Sequence, residues 1–247
     1  LYELNERVIE KAKINIEKRL QALVEKGRIT AEEKQQTFQA ISFTRNLNEC
    51  RADVIIEAII ENRQAKISLF NELARINGER AIFVTNTSSL SVTEIGNEIL
   101  YPQRMAGMHF FNPAPVMKLV EVVKGERTSG ETIEIIVTLA KALGKTTVVC
   151  KDSPGFIVNR VARPFYIESL RLAEEDKIDF AVIDELLEAT GFRMGPFKLM
   201  DLIGNDINYA VSHTVYDQLD KPERLKPSYI QKEKVEKGEL GRKTGQG

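Results

Sequence analysis

Gly107-Met-His-Phe-Phe-Asn-Pro-Ala-Pro-Val-Met-Lys-Leu-Val-Glu-Val122 decides how this chain reads. Pro113 and Pro115 cannot donate to a strand ladder, so the apolar run that closes on His109 predicts a strand ending at a rigid loop. Open α/β sheets hold their ligands at such ends. A second apolar run, Leu119 to Val123, carries a single acid, Glu121, whose burial is costly without a partner. Glu121 can accept the proton of one imidazole nitrogen and leave the other free to take a proton from a substrate, so His109 and Glu121 read as a base and its orienter. The competing readings are a structural histidine and an acid paired with a lysine such as Lys118.

Outward from this stretch the order is strand, helix, strand, helix. Ile41 to Thr44 reads as a strand, followed by a turn capped at Asn46. Val54-Ile-Ile-Glu-Ala-Ile-Ile60 is nearly continuous and apolar, as a parallel strand buried on both faces requires. A helix over 63–77, a strand over 81–85 and a loop from Asn86 to Leu90 follow. Ser91-Val-Thr-Glu94 has the spacing of a capping box and starts a short helix. Strands near 104–110 and 118–124, a helix from about 131 to 143 and a strand over 146–150 complete an α/β sheet. Before it, Leu1-Tyr-Glu3 reads as the end of a strand. A helix with Val8, Ile9, Ala12, Ile16, Leu20 and Leu23 on one face then ends at Gly27, and a polar helix opens at the Thr30-Ala-Glu-Glu33 box. The pair forms a helical hairpin.

Past Pro154-Gly155 no strand-like run remains. Helices are expected near 156–175, 179–190, 196–219 and 226–237, which puts a sheet domain over 1–151 and an all-α domain over 152–247. The glycine-rich tail from Lys237 to Gly247 has a basic centre and reads as a flexible end or a binding element.

The 247 residues are 43% hydrophobic, enough for a sizeable core, and 35 Lys and Arg against 36 Asp and Glu leave a net charge of −1. Nothing global favours nucleic acid or an anionic membrane, so any anionic ligand needs a local cationic cluster. Cys50 and Cys150 lack metal-type spacing and read as two buried thiols in a reducing compartment. With no run of membrane-spanning length and no signal peptide, the cytoplasm is the default expectation.

Thr85-Asn-Thr-Ser88-Ser-Leu-Ser91, Asp152-Ser-Pro-Gly-Phe-Ile-Val-Asn159-Arg160, Gly191-Phe-Arg-Met-Gly-Pro196 and Asp201-Leu-Ile-Gly-Asn-Asp206 lie in order around the opening stretch. Together they resemble the 3-hydroxyacyl-CoA dehydrogenase family over nearly the whole chain. Asn112-Pro-Ala-Pro-Val-Met-Lys118 and Asn159-Arg-Val-Ala-Arg-Pro164 look most like its phenylacetate-degradation branch, which acts on 3-hydroxyadipyl-CoA. The resemblance implies a Rossmann-like NAD-binding sheet domain followed by a helical domain that closes the substrate cleft and forms a homodimer. It implies NAD as cofactor, an acyl-CoA substrate, and oxidation of the 3-hydroxy group.

Carried over residue by residue, His109 is the base, Glu121 its orienter, and Ser88 and Asn159 the groups near the reacting oxygen. Glu61 and Lys66 match positions around the nicotinamide ribose, Asn112 borders the same cleft, and Lys243 matches a basic residue near the cofactor. Glu3 matches the acid that holds the ribose hydroxyls. Taken alone, Ser88 could be a turn hydroxyl, Asn159 a cap, and Glu61 and Lys66 a solvated strand end and helix face. Lys18, Arg19, Lys26 and Arg28 on the hairpin are the candidate CoA-phosphate ligands, with a solvated charged face as the alternative. Arg160 or Arg163 would meet the far carboxylate of a dicarboxylic acyl chain. His213 reads as structural.

One family feature is missing. A dinucleotide fold needs a first strand and a Gly-x-Gly-x-x-Gly turn about 20 residues before the ribose-binding acid, and no such motif precedes Glu3. The functional protein is therefore expected to be longer, and the 247 residues alone are expected to bind NAD weakly. A dehydrogenase of small hydroxy acids and a non-catalytic crystallin-like or binding module are the other readings.

Overall fold

Two helices open the chain, each placed by its cap. α1 (Glu6–Glu25) starts where the Asn5 side chain accepts the Arg7 N–H. α2 (Ala31–Gln39) starts at a reciprocal box: Thr30 Oγ1 accepts the Glu33 N–H at 3.1 Å and Glu33 Oε2 accepts the Thr30 N–H at 2.7 Å. They pack on each other as the expected hairpin. The structure is a computed structural model that describes residues 1–247.

The sheet contains β1 (Val54–Glu57), β2 (Ile82–Thr85), β3 (Met105–Phe110), β4 (Leu119–Lys124) and β5 (Thr146–Lys151), side by side in that order. β1–β2, β2–β3 and β4–β5 are parallel; β3 and β4 are antiparallel. The crossovers are α3 (Arg63–Asn77), the short α4 (Val92–Asn97) and α5 (Gly130–Ala142). Successive side chains on a strand point to opposite faces. Phe83 and Met105 pack with Ile67, Phe70 and Leu73 of α3 and with Ile95 of α4. Ile82, Val84, Met108, Val120 and Val122 pack on the other face with Ile136 and Ala140 of α5. Burying each large apolar side chain stabilises by about 1.5–3 kcal/mol, so the three-layer core holds the ends of β1, β2 and β3 in fixed positions.

The helical part runs α6 (Val158–Glu175), α7 (Phe180–Ala189), α8 (Pro196–Ile203), α9 (Asn205–Gln218) and α10 (Tyr229–Glu236). No helix is long and apolar enough to cross a membrane.

Four local expectations differ from what forms. Residues 41–44 make no strand; they meet Leu1–Glu3 through a single parallel bridge, Tyr2 to Thr44, and Thr44 Oγ1 then turns into the Asn46 cap. The strand expected to reach Ile60 stops at Glu57, because the Glu57 carboxylate accepts the Ile59 N–H at 2.6 Å and draws the backbone out of the ladder. The helix expected over 196–219 is two helices. Gly204, at φ 105°, adopts a conformation that side chains with a Cβ resist, and the chain turns there. Ser91 caps α4 by accepting the Glu94 N–H, but Glu94 does not return the bond; it pairs with Arg63.

Candidate active site

The antiparallel register sets His109 directly opposite Glu121, so both side chains leave the same face of the sheet as close neighbours. His109 Nδ1 lies 2.7 Å from Glu121 Oε2. The other carboxylate oxygen, Oε1, accepts the N–H groups of Ile157 at 2.8 Å and Val158 at 2.9 Å, where α6 begins. Glu121 is fully buried. Burial pushes its carboxyl up, but the bonds from His109, Val158 and Ile157 outweigh that and hold it below the usual glutamate range. An acceptor-only carboxylate assigns the Nδ1 proton to the neutral imidazole and leaves the Nε2 lone pair for a substrate proton. Nε2 has no protein partner, and no buried side-chain nitrogen or oxygen is left unpaired, so Nε2 keeps an open side. The rings of Phe111 and Phe156, centred 4.5 and 5.8 Å from the imidazole, wall it on other sides.

Ser88 lies in the loop after β2. Its N–H donates to Glu61 Oε1 at 3.2 Å, and its carbonyl accepts from Asn159 Nδ2 at 3.4 Å, so the first turn of α6 reaches across to it. No other group binds the Ser88 hydroxyl. Glu61 also accepts from Thr87 Oγ1 at 2.5 Å and Ser89 Oγ at 3.2 Å. Burial raises the Glu61 carboxyl, and the Thr87 bond, the Lys66 charge and the Ser88 and Ser89 bonds together bring it below its ordinary value. Asn86 closes the arrangement, its Oδ1 accepting the Phe110 N–H at 3.1 Å, which fastens the serine loop to the strand end beside His109.

His109, Glu121, Ser88, Asn159 and Glu61 thus come together. Lys66 is a correction: its side chain has no exposed surface, with Nζ 2.6 Å from Glu57 and 3.4 Å from Glu61, so it reaches the cleft only through Glu61. Arg163 is another. Nearly sealed among the helices, it donates to the carbonyls of Asn159 and Asn208 and to Ser212 Oγ, with its guanidinium over the Tyr166 ring at 4.9 Å, so it cannot meet a substrate carboxylate. Burial pulls it down to about 10. Arg160, one turn earlier, is exposed and forms no ion pair.

Lys243 is bound 2.5 Å from Asp206 at the start of α9, inside the helical domain. The tail around it is folded rather than loose: Gly241 bridges Gln246, and Arg242 N–H donates to the Asp201 carbonyl. Asn112 is exposed at the head of the β3–β4 loop and makes no hydrogen bond to His109 or Ser88. Glu3 accepts the Asn5 N–H at 2.9 Å before α1. Lys18, Arg19, Lys26 and Arg28 are all exposed on the hairpin and unpaired with acids. His213 packs edge-on against Tyr209.

Sequence reading passed over Asn86, Phe156 and Glu57. Glu57 carried the same signal as Glu121, one acid inside an apolar strand.

Comparisons with known proteins give the family. The family model described as 3-hydroxyacyl-CoA dehydrogenase, NAD binding domain, matches residues 1–153, and that described as 3-hydroxyacyl-CoA dehydrogenase, C-terminal domain, matches 155–247. The chain is 43% identical to a 3-hydroxyadipyl-CoA dehydrogenase of Escherichia coli, over all of this chain and 52% of that protein. It is 37% identical to the mitochondrial hydroxyacyl-coenzyme A dehydrogenase of Sus scrofa, over all of this chain and 81% of the other. Among solved structures, a 3-hydroxybutyryl-CoA dehydrogenase from Escherichia coli superposes with a TM-score of 0.97 at 43% identity, covering all of this chain and 53% of that one. The chain therefore spans about half the length of the two Escherichia coli proteins.

Proposed function

Because the chain belongs to the 3-hydroxyacyl-CoA dehydrogenase family, we propose that it carries the working residues for NAD-dependent oxidation of a 3-hydroxyacyl-CoA to the 3-oxoacyl-CoA. The observation that carries the reading is the His109–Glu121 pair, with one imidazole nitrogen held by an ionised carboxylate and the other open.

NAD, when bound, supplies the hydride acceptor. The acceptors present fit its ribose hydroxyls. Glu61, part-exposed beside Ser88, offers an acceptor for ribose hydroxyls, and Glu3 offers another. No Gly-x-Gly-x-x-Gly turn occurs within residues 1–247 to cradle a pyrophosphate.

His109 Nε2 takes the hydroxyl proton as the C–H bond is lost, and Glu121 steadies the imidazolium that forms. The Ser88 hydroxyl donates to the oxygen that develops charge, and Asn159 approaches it from α6. Lys18, Arg19, Lys26 and Arg28 meet the CoA phosphates. That unpaired cluster favours a CoA ester over a small free hydroxy acid. Arg160 meets the far carboxylate of an adipyl-type chain, in keeping with the phenylacetate-type branch that the sequence resembles. The protein works as a homodimer through its helical face, in the cytoplasm, where its two free thiols stay reduced.

Turnover of 3-hydroxyadipyl-CoA and 3-hydroxybutyryl-CoA, followed by NADH absorbance, tests the reading. Oxidation of both, faster on the dicarboxylic ester, is expected. Turnover of a free hydroxy acid at the same rate as its CoA ester would overturn it.

A further inference from the structure

Lys66 is among the largest side chains with no exposure at all, and the acid that holds it, Glu57, has no role in the scheme above. Glu57 ends β1 directly beside Thr85 of β2. Its Oε2 accepts from Thr85 Oγ1 at 2.7 Å, and its Oε1 accepts from Lys66 Nζ and the Ile59 N–H, both at 2.6 Å. Its main-chain carbonyl accepts the Asn86 N–H at 2.8 Å. Every polar atom of Glu57 that can accept is thus aimed at the two segments that flank the cleft, 57–66 and 85–89.

Stability alone does not account for this arrangement. Buried ion pairs are often replaced by well-packed apolar residues at no loss, because desolvation offsets the Coulomb gain. What the cluster does accomplish is geometric. Lys66 also lies 3.4 Å from Glu61 Oε2, and Glu61 Oε1 accepts from Thr87 Oγ1, the Ser88 N–H and Ser89 Oγ. A continuous chain of contacts therefore runs from Glu57 through Lys66 and Glu61 to the backbone of Ser88. A second, from the Glu57 main-chain carbonyl and so independent of its side chain, runs through Asn86 to Phe110, the neighbour of His109.

We propose that Glu57 is a positioning residue: by fixing Lys66 beside Glu61 and Thr85 at the end of β2, its carboxylate sets where Ser88 stands relative to His109. The proposal rests on the dehydrogenase reading of this site. Misplacement of reacting groups by about 1 Å from a remote change costs on the order of 10²-fold in rate.

The test compares the wild-type enzyme with Glu57→Gln, Glu57→Asp and the double variant Glu57→Gln/Lys66→Met. Readouts are kcat and KM on 3-hydroxybutyryl-CoA, melting temperature, and deuterium exchange at the Ser88 and Ser89 amides. Glu57→Gln should lower kcat by about 10²-fold with KM for the acyl-CoA little moved, and should speed exchange at both amides. Glu57→Asp should recover part of both. The double variant removes the unpaired buried charge, so it should regain melting temperature while kcat stays low and exchange stays fast, even where Glu57→Gln alone does not fold. A double variant that regains kcat and slow exchange together with stability overturns the proposal, as does a folded Glu57→Gln with wild-type kcat and exchange. Absence of acyl-CoA turnover by the full-length wild-type protein would defeat the functional reading instead, and the exchange comparison would still decide the role of Glu57.

Discussion

The backbone N–H of Ile157 donates to Glu121 Oε1 at 2.8 Å, so the helical domain begins on the carboxylate that holds His109. One buried acid is thereby shared between the His109 imidazole and the start of the helical part, and its loss should be felt in both chemistry and folding.

Glu121→Gln tests the chemistry. An amide facing Nδ1 can donate to it, which shifts the imidazole proton to Nε2 and leaves no lone pair for substrate. A fall in kcat of about 10²- to 10⁴-fold is expected in steady-state assays. Retention of most turnover would remove Glu121 from the mechanism.

The same carboxylate predicts a pH dependence. Its folded-state pKa is below the unfolded one, so between the two values the unfolded chain binds the extra proton. Stability from Glu121 is present above the ordinary glutamate range and is lost as pH falls through the lowered folded value. Urea midpoints measured down through that acidic window should decline for the wild type and decline less for Glu121→Gln.

Gly107 lies on β3 two residues before His109, where a Cβ would come within 2.9 Å of both Val123 Cβ and Val92 Cγ2. Gly107→Ala should destabilise by about 1–3 kcal/mol, seen as a lower urea midpoint. Gly130→Ala, which meets nothing within 4 Å, is the control and should leave the midpoint nearly unchanged.

Arg160 and Arg163 should separate cleanly. Arg163→Met strips donors from Asn159, Asn208 and Ser212 and should cost about 1–3 kcal/mol of stability, while lowering activity equally on adipyl and hexanoyl substrates. Arg160→Met should raise KM by roughly tenfold for the adipyl substrate alone. Equal effects of Arg160→Met on both chains would count against a carboxylate contact.

Charge reversal on the hairpin, Arg19→Glu with Lys26→Glu, should raise KM for the CoA ester and weaken its salt dependence, since exposed charges act through a screened field. A pantetheine thioester without the nucleotide phosphates should show no such change. If both substrates respond alike, the hairpin is not the phosphate site.

Much of this was legible along the chain. The box at Thr30, the cap at Ser91, the apolar runs of β1 to β5 and the lone acid in β4 are local signals, because caps and strand periodicity depend on neighbours a few residues apart. The pairing of His109 with Glu121 was legible too, since two strands joined by a short proline-rich loop admit few registers. Lys66 and Arg163 were misread for the opposite reason. Each sits in a helix that carries several other charged residues, and nothing local tells which of them faces inward.

The sequence by itself determined most of the order of elements, which follows from side-chain type and spacing, while its motifs carried the resemblance to the family and singled out His109 and Glu121 as a pair. Only the tertiary structure decided that Glu57 and Lys66 are buried together, that Arg163 is walled in by α9, and that the first amides of α6 cap Glu121. The Arg163 and Glu121 contacts join residues far apart in the chain, Glu57 and Lys66 meet from a strand and the helix after it, and whether a charge is paired or solvated is settled by which helix face packs inward.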